Sequence, residues 1–130
     1  MKLADIMTVD PITVRPEDHV TDHIGIFESH RFNHIPVVTG AGDVVGMISR
    51  RDFDNYSNIT KLLSATGKEI RIRDIMTSPV FSYFEDVDVK QAAIAMIDYN
   101  IHAIVVVNKN EDMLGIVTST DLLRIVAEGC

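Results

Sequence analysis

The chain has 130 residues, 46% of them hydrophobic and 24% charged, enough for one ordinary domain or two very small ones and too apolar for disorder. Nineteen acids against twelve Lys and Arg give a net charge of −7, the wrong sign for the cationic footprint that nucleic-acid binding needs. The sole cysteine, Cys130, excludes an internal disulfide, and the longest aliphatic run, Ala103 to Val107, falls far short of the ~20 residues that span a bilayer. The first residues, Met1-Lys2-Leu3-Ala4-Asp5, carry an acid and no apolar signal core, so the reducing cytoplasm is the expected location.

In chain order, Asp5-Ile6-Met7-Thr8 predicts a short helix closed by Met7, and Ile12-Thr13-Val14, just after Pro11, reads as a short strand. Val20, Ile24 and Phe27 fall at i, i+4 and i+7, which predicts a helix with one apolar face, and Glu17-Asp18 places acids at its start, where the helix dipole favours them. Two β-rich runs, Ile35 to Thr39 and Val44 to Ser49, flank the turn-like Gly40-Ala41-Gly42-Asp43 and so predict a hairpin. A second helix is expected from near Arg51. From Asp54 to Arg71 the composition shifts to Asn, Ser, Thr and Lys, with Gly67 as a breaker. Tyr56, Ile59, Leu62 and Leu63 give part of it a helical rhythm, hence a helix extension followed by a linker.

The same order then returns. Asp74-Ile75-Met76-Thr77 repeats the opening motif, Val89 answers Val20, and Ile104, Val106 and Val107 answer Ile35, Val37 and Val38 at one constant spacing. Asp112, Gly115 and Asp121 likewise answer Asp43, Gly46 and Asp52, so the chain is a duplication. Its second copy reads as a strand at Val80-Phe81-Ser82-Tyr83, a helix faced by Val89, Ala93 and Met96 behind Glu85-Asp86, a hairpin from Ala103–Val107 to Met113–Thr118, and a helix from near Thr120. The fold class is therefore α/β (α+β), two β-α-β-β-α repeats at 1–56 and 72–130 joined by a linker at 57–71. A unit of ~50 residues exposes too much of its sheet to stand alone, so the copies are expected to pack on each other.

Asp-Ile-Met-Thr followed by a proline, a helix, an apolar hairpin and then Gly-h-h-Ser/Thr-x-x-Asp (h, apolar) resembles the cystathionine β-synthase (CBS) domain. The last motif stands here as Gly46-Met47-Ile48-Ser49-Arg50-Arg51-Asp52 and Gly115-Ile116-Val117-Thr118-Ser119-Thr120-Asp121. The resemblance, to a tandem pair called a Bateman module, runs from about Leu3 to Val126. It implies two repeats about a pseudo-twofold axis, clefts that take AMP, ADP, ATP or S-adenosylmethionine, and pairing of two modules into a disc-like homodimer.

The motif also makes sense as a ribose-phosphate grip. A strand that ends at Ser49 or Thr118 and opens a helix places a hydroxyl and backbone N–H groups where a phosphate is stabilised. Asp52 and Asp121 can accept hydrogen bonds from vicinal ribose hydroxyls, and Gly46 and Gly115 permit close backbone approach. The same residues can equally cap their helices. By analogy the all-polar second copy, with Thr118, Thr120 and Asp121, is the better ribose site, flanked by Thr77 and Val80; Thr8 and Ile12 are their counterparts. Arg50 and Arg51 are expected to neutralise a polyphosphate on this acidic protein, and Arg31, His34 and His102, just before the second strand of each copy, are the further phosphate candidates. Val105 replaces Pro36 and Ala103 replaces His34 in the second copy, so the two sites are expected to differ and one to dominate.

Sharper chemistries find little footing. His19 and His23 lie four apart, but no third metal ligand is evident and the second copy repeats neither histidine. The glycines from Gly40 to Gly46 lead into a strand, not the helix a dinucleotide loop requires. No Cys nucleophile, serine elbow or duplicated acid pair suggests catalysis, and the methionines sit at core or cleft-lining positions. The expected function is thus non-enzymatic: a regulatory module that binds an adenine nucleotide and signals to an effector protein. A ligand-free dimerisation scaffold, or a module tuned to S-adenosylmethionine that would not need the arginines, are the alternatives.

Overall fold

A computed structural model of the chain describes residues 1–23, 25–30, 32–56, 70–78 and 80–129. Ile24, Arg31, Pro79, Cys130 and the predicted linker helix through Ile59, Leu62 and Leu63 lie outside the described residues. The elements in chain order are α1 (Leu3–Ile6), β1 (Thr8–Val9), a 3-10 turn (Val20–His23), β2 (His34–Val38) and β3 (Val44–Ser49). They continue with α2 (residues 50–56), α3 (Ile72–Ile75), β4 (Ser82–Phe84), α4 (Val89–Tyr99), β5 (Ala103–Val107), β6 (Met113–Thr118) and α5 (Ser119–Ala127). Among the described residues no helix is long and apolar enough to cross a membrane.

These elements form two compact units whose boundaries are not those of the sequence repeats. One comprises Ile12–Pro79, the other Met1–Pro11 together with Val80–Cys130. Each Asp-Ile-Met-Thr segment thus folds with the body of the other repeat. Within the first-named unit, α3 donates from Ile72 N–H to Asp18 O (2.8 Å) and from Arg73 N–H to Pro16 O (3.0 Å), and Thr77 bridges Met47. In the second, α1 donates from Leu3 N–H to Val87 O (2.9 Å) and from Ala4 N–H to Glu85 O (3.0 Å), and β1 pairs with β6 through Thr8↔Ile116. Asp5 and Asp74 serve these short helices directly: their carboxylates accept the N–H of Lys2 (2.8 Å) and Arg71 (2.9 Å) three residues back. Leu3 and Ile72 are fully buried, which anchors each segment by burial as well as by hydrogen bonds.

The glycines of the repeated motif have a role in this docking. A Cβ on Gly46 would collide with the Met76 side chain, and one on Gly115 with the backbone oxygen of Thr8 and with Met7. The close approach read from the sequence is therefore an approach of the chain's own Asp-Ile-Met-Thr segments, and Met7 and Met76 cap α1 and α3 as expected.

The hairpins match residue for residue. β2 pairs with β3 from His34↔Ser49, and β5 with β6 from Ala103↔Thr118, with the same register irregularity after Val37 and after Val106. Buried Ile35, Val37 and Ile48 centre one core; Ile104, Val106 and Val117 centre the other.

Two expectations are corrected in detail. The predicted first strand forms in the second repeat, as β4 parallel to β5, but Ile12 to Val14 is reduced to one bridge, Val14↔Val37. Proline is the reason. In the second repeat Glu85 N–H reaches Val107 O (3.2 Å) and Val105 N–H reaches Phe81 O (2.9 Å), whereas Pro16 and Pro36 occupy those donor positions in the first and have no N–H.

The helix predicted from Val20 through Phe27 is a 3-10 turn followed by further turns, while its counterpart α4 runs eleven residues. α4 has Asp88 as N-cap, accepting the N–H of Lys90 at 2.9 Å, an alanine-rich body, and Asn100 in the left-handed region as C-cap. The first repeat has His19 in place of that cap, β-branched Thr21 where α4 has Lys90, and Gly25 at φ +87°. The cap of α4 is Asp88, just after the acids Glu85-Asp86 read at its start, and in the first repeat Asp18 accepts from Arg15 N–H (3.0 Å) and from His23 Nε2 (2.9 Å).

Candidate functional site

Each unit presents the end of a strand turning into a helix, and the two ends are built differently. At the end of β6, Thr118 and Asp121 form a reciprocal capping box. Asp121 Oδ2 accepts the Thr118 N–H at 2.8 Å and its hydroxyl at 3.1 Å, while Asp121 N–H points at Thr118 Oγ1 at 3.4 Å. Asp121 Oδ1 faces Arg124 Nη1 at 3.6 Å; the aspartate side chain is 14% exposed, the arginine 62%. So one carboxylate oxygen is fixed by the turn, and the other faces a solvent-screened ion pair, which is worth little. A diol hydroxyl would compete there on favourable terms, since each carboxylate oxygen has two lone pairs. The Ser119 N–H donates to His102 O (2.9 Å), and the side chains of Ser119 and Thr120 are half-buried and exposed beside the box.

Thr8 lies on this unit through its pairing with Ile116, two residues before Thr118, and its side chain is exposed. Val80 is half-buried ahead of β4. Thr77 and Ile12 belong to the other unit. Thr77 exchanges two backbone hydrogen bonds with Met47 (2.9 and 3.0 Å), and Ile12 is 41% exposed. Among the residues read from sequence, the structure therefore gathers Thr8, Thr118, Thr120 and Asp121 on one unit and Ser49, Asp52, Thr77 and His34 on the other.

At the end of β3, Ser49 Oγ accepts the Asp52 N–H at 3.1 Å, and His34 is the cross-strand partner of Ser49. Arg51 is exposed at the start of α2. Arg50 is not disposed as a free phosphate ligand. Its Nε donates to Asn33 Oδ1 (3.0 Å), its Nη2 to the carbonyls of His30 (3.1 Å) and Phe32 (3.0 Å), and its guanidinium lies 5.4 Å from the centroid of the Phe27 ring. Phe27 in turn meets Phe32 and Phe53 edge-on at 5.8 and 5.6 Å. This clamp on the segment before β2 was missed in the sequence. Its one legible trace is aromatic: Phe27, Phe32 and Phe53 stand where the second copy has Met96, Ile101 and Leu122. His102 is exposed ahead of β5, and Arg31 lies outside the described residues.

Two carboxylates, one in each unit, have shifted titration. Burial works to raise the Asp18 carboxyl, but the hydrogen bonds from His23 and the Arg15 N–H, with the charges of His23 and Arg15, outweigh it and hold the group below its ordinary value. The Lys90 N–H, aided by nearby positive charges, likewise lowers Asp88.

Residues 3–58 and 72–128 each match the family model of the CBS domain. The chain is 36% identical over 121 residues to the L-aspartate semialdehyde sulfurtransferase of Methanocaldococcus jannaschii, covering 93% of this chain and 22% of that protein. It is 28% identical over 123 residues to the inosine-5'-monophosphate dehydrogenase of the same organism, covering 95% of this chain and 23% of that enzyme. The chain thus spans less than a quarter of the length of these curated relatives. Among solved structures, the CBS domain pair of protein MJ0100 in complex with 5'-methylthioadenosine and S-adenosyl-L-methionine superposes with a TM-score of 0.81 at 32% identity, over 100% of this chain and 98% of that one. CBSX2 in complex with AMP superposes at 0.77 with 21% identity, over 98% and 96% of the two chains, a likeness of fold.

Proposed function

The chain belongs to the CBS domain family as a tandem pair of repeats, and on that premise we propose that it is a regulatory module that binds an adenosine-containing ligand. The observation that carries the reading is the Thr118–Asp121 box: a strand-to-helix turn with one carboxylate oxygen fixed by Thr118 and the other facing an exposed arginine. Asp121 would receive the ribose hydroxyls, with Thr8 and Thr120 beside it. The neighbour at 32% identity, solved with methylthioadenosine and S-adenosylmethionine, supports the ligand class.

Arg50 orders the ligands within that class. Three of its hydrogen bonds go to the protein itself, so one of the two arginines expected to take phosphate is engaged. That favours phosphate-free adenosines, S-adenosylmethionine and methylthioadenosine, over AMP, ADP and ATP. The module acts by linkage: a ligand that prefers one arrangement of the repeats shifts the equilibrium by its differential affinity. It has no catalytic role in this reading, and its output is read by an effector protein or by the remainder of a longer chain. Ile97, Leu123 and Val126, all more than two-thirds exposed on α4 and α5, support pairing of two copies.

Thermal unfolding with S-adenosylmethionine, methylthioadenosine, AMP, ADP, ATP and GTP, each at ~1 mM, tests the proposal. A dissociation constant of ~10 μM adds about 2.7 kcal/mol, several degrees for a chain of this size. The expected order is the phosphate-free adenosines first, AMP weaker, GTP silent. No shift with any adenosine compound would replace the sensor with a ligand-free scaffold.

A further inference from the structure

Opposite the Thr118–Asp121 turn, the second repeat's sheet ends in a cavity. It measures about 540 Å³, within the roughly 300–1,000 Å³ that ligand pockets span, and is lined by Phe84, Glu85, Asp86, Val107, Asn108 and Lys109. All six belong to the unit of Met1–Pro11 and Val80–Cys130. Phe84 closes β4 and pairs with Val107, the last residue of β5. Thr118 pairs instead with Ala103, the first residue of β5, so the turn and the cavity lie about 13 Å apart along that strand.

The walls differ in chemistry. Phe84 is 48% exposed, an aromatic face open to solvent, and Val107 beside it is buried. Glu85 and Asp86 follow with exposed side chains. Asn108 is a fixed wall, its Oδ1 accepting the N–H groups of Asn110 (2.9 Å) and Asp112 (3.0 Å). Lys109 is exposed and, among the described residues, forms no ion pair with either carboxylate.

The first repeat shows what this place takes. Its backbone follows the same course: Asp18 N–H reaches Arg15 O (3.2 Å) as Val87 N–H reaches Phe84 O (3.1 Å). Likewise Thr39 N–H reaches Asp43 O (2.9 Å) as Asn108 N–H reaches Asp112 O (3.0 Å). Arg15, Pro16, Glu17 and Gly40 therefore stand where the second repeat has Phe84, Glu85, Asp86 and Lys109. There the Arg15 guanidinium lies against Gly40, where a Cβ would come within 2.9 Å of Nη1, and Nη1 faces Glu17 Oε1 at 4.0 Å. The second repeat keeps the acid, loses the built-in cation, and gains a ring face and a second carboxylate. Both additions attract a guanidinium or ammonium from outside. Lys109, in the place of Gly40, supplies the opposite charge for an acid on the same molecule.

We propose that this cavity binds a small zwitterion of the basic amino-acid class, its guanidinium or alkylammonium group against Phe84 and the Glu85–Asp86 carboxylates and its α-carboxylate against Lys109. The inference is independent of adenosine binding and gives the module a second ligand class at the other end of the same sheet.

Titration of the full chain, labelled with nitrogen-15 and followed through its amide resonances by NMR, tests it with arginine as the probe. Arginine should shift Glu85, Asp86, Asn108 and Lys109 to saturation and leave Thr118, Ser119 and Asp121 in place. Citrulline, of the same shape with a neutral end, should bind about tenfold more weakly or less. The double variant Phe84→Arg with Lys109→Gly copies the first repeat and should lose the arginine response while the rest of its spectrum is kept. Asp86→Asn alone should weaken it severalfold. Absence of a saturable shift with arginine, citrulline equal to arginine, or an undiminished response in the folded double variant would each overturn the proposal. So would Nα-acetylarginine N-methylamide bound as tightly as arginine, which would reassign the cavity to an arginine side chain of a partner protein.

Discussion

The two repeats share a hairpin to the residue and differ in almost everything that precedes it. The second repeat reaches its hairpin through a parallel strand and an eleven-residue helix with a proper cap at each end; the first arrives through one bridge, a 3-10 turn and an arginine clamp. Local chemistry accounts for the contrast. Two prolines remove ladder donors, Gly25 and a missing N-cap remove the helix, and an aromatic trio with Arg50 holds the segment instead. What survives in both copies is the hairpin, the capped turn after it and the docking of an Asp-Ile-Met-Thr segment. Duplication has thus preserved the strand-to-helix turn while its supports diverged, which is how one ancestral site becomes two unequal ones.

The docking glycines offer the strongest way to break the symmetry that remains. At Gly115 a Cβ meets the Thr8 backbone oxygen, which cannot swing aside; at Gly46 the nearest atoms are those of the Met76 side chain. Gly115→Ala should therefore cost about 3 kcal/mol by urea denaturation and Gly46→Ala about half as much. Equal costs would mean that the two segments dock alike.

The helix contrast predicts a smaller effect. Asp88→Ala removes the side-chain cap of α4 and should lower the midpoint of thermal unfolding, with the loss of helix seen by circular dichroism.

Asp18 supplies a pH signature confined to the first repeat, since Val87 stands in its place in the second. Its folded-state value is depressed, so its contribution is complete above the unfolded carboxylate value of ~3.9 and is lost as the pH falls through the folded value. Stability measured from pH 5 downward should decline, and Asp18→Asn, less stable at pH 5, should decline less steeply.

The least effect is expected in the hairpin turns. Gly42 at φ +95° and Glu111 at φ +66° occupy the same place, and only the glycine is at ease there. Glu111→Gly should stabilise by about 0.5 kcal/mol in thermal unfolding, because relief of the left-handed strain exceeds the entropy glycine adds to the unfolded chain.

Much of this was legible in the residues. Hairpin registers follow from alternation around turn residues, and the repeat itself fixes the element order, because identical spacings in Ile35/Val37 and Ile104/Val106 leave little freedom. The Thr118 to Asp121 spacing announces its capping box. What escaped was whatever depends on partners distant in the chain. Nothing near Gly115 says that Thr8 lies against it, and nothing near Arg50 says that it reaches back to the carbonyls of His30 and Phe32. The first-repeat helix misled for a different reason: the apolar period of Val20, Ile24 and Phe27 reports which residues are wanted inside, and Val20 and Phe27 are indeed buried, but period alone does not supply caps or propensity.

The central claim is that the second-repeat turn, with Asp121, dominates binding of an adenosine ligand. Isothermal titration with methylthioadenosine on the unmodified chain, Asp121→Ala and Asp52→Ala tests it most directly, with circular dichroism confirming that each variant is folded. The account predicts one site per chain, lost or weakened at least tenfold in Asp121→Ala and kept within about twofold in Asp52→Ala. Binding undiminished in folded Asp121→Ala, or no binding to the unmodified chain, would contradict it.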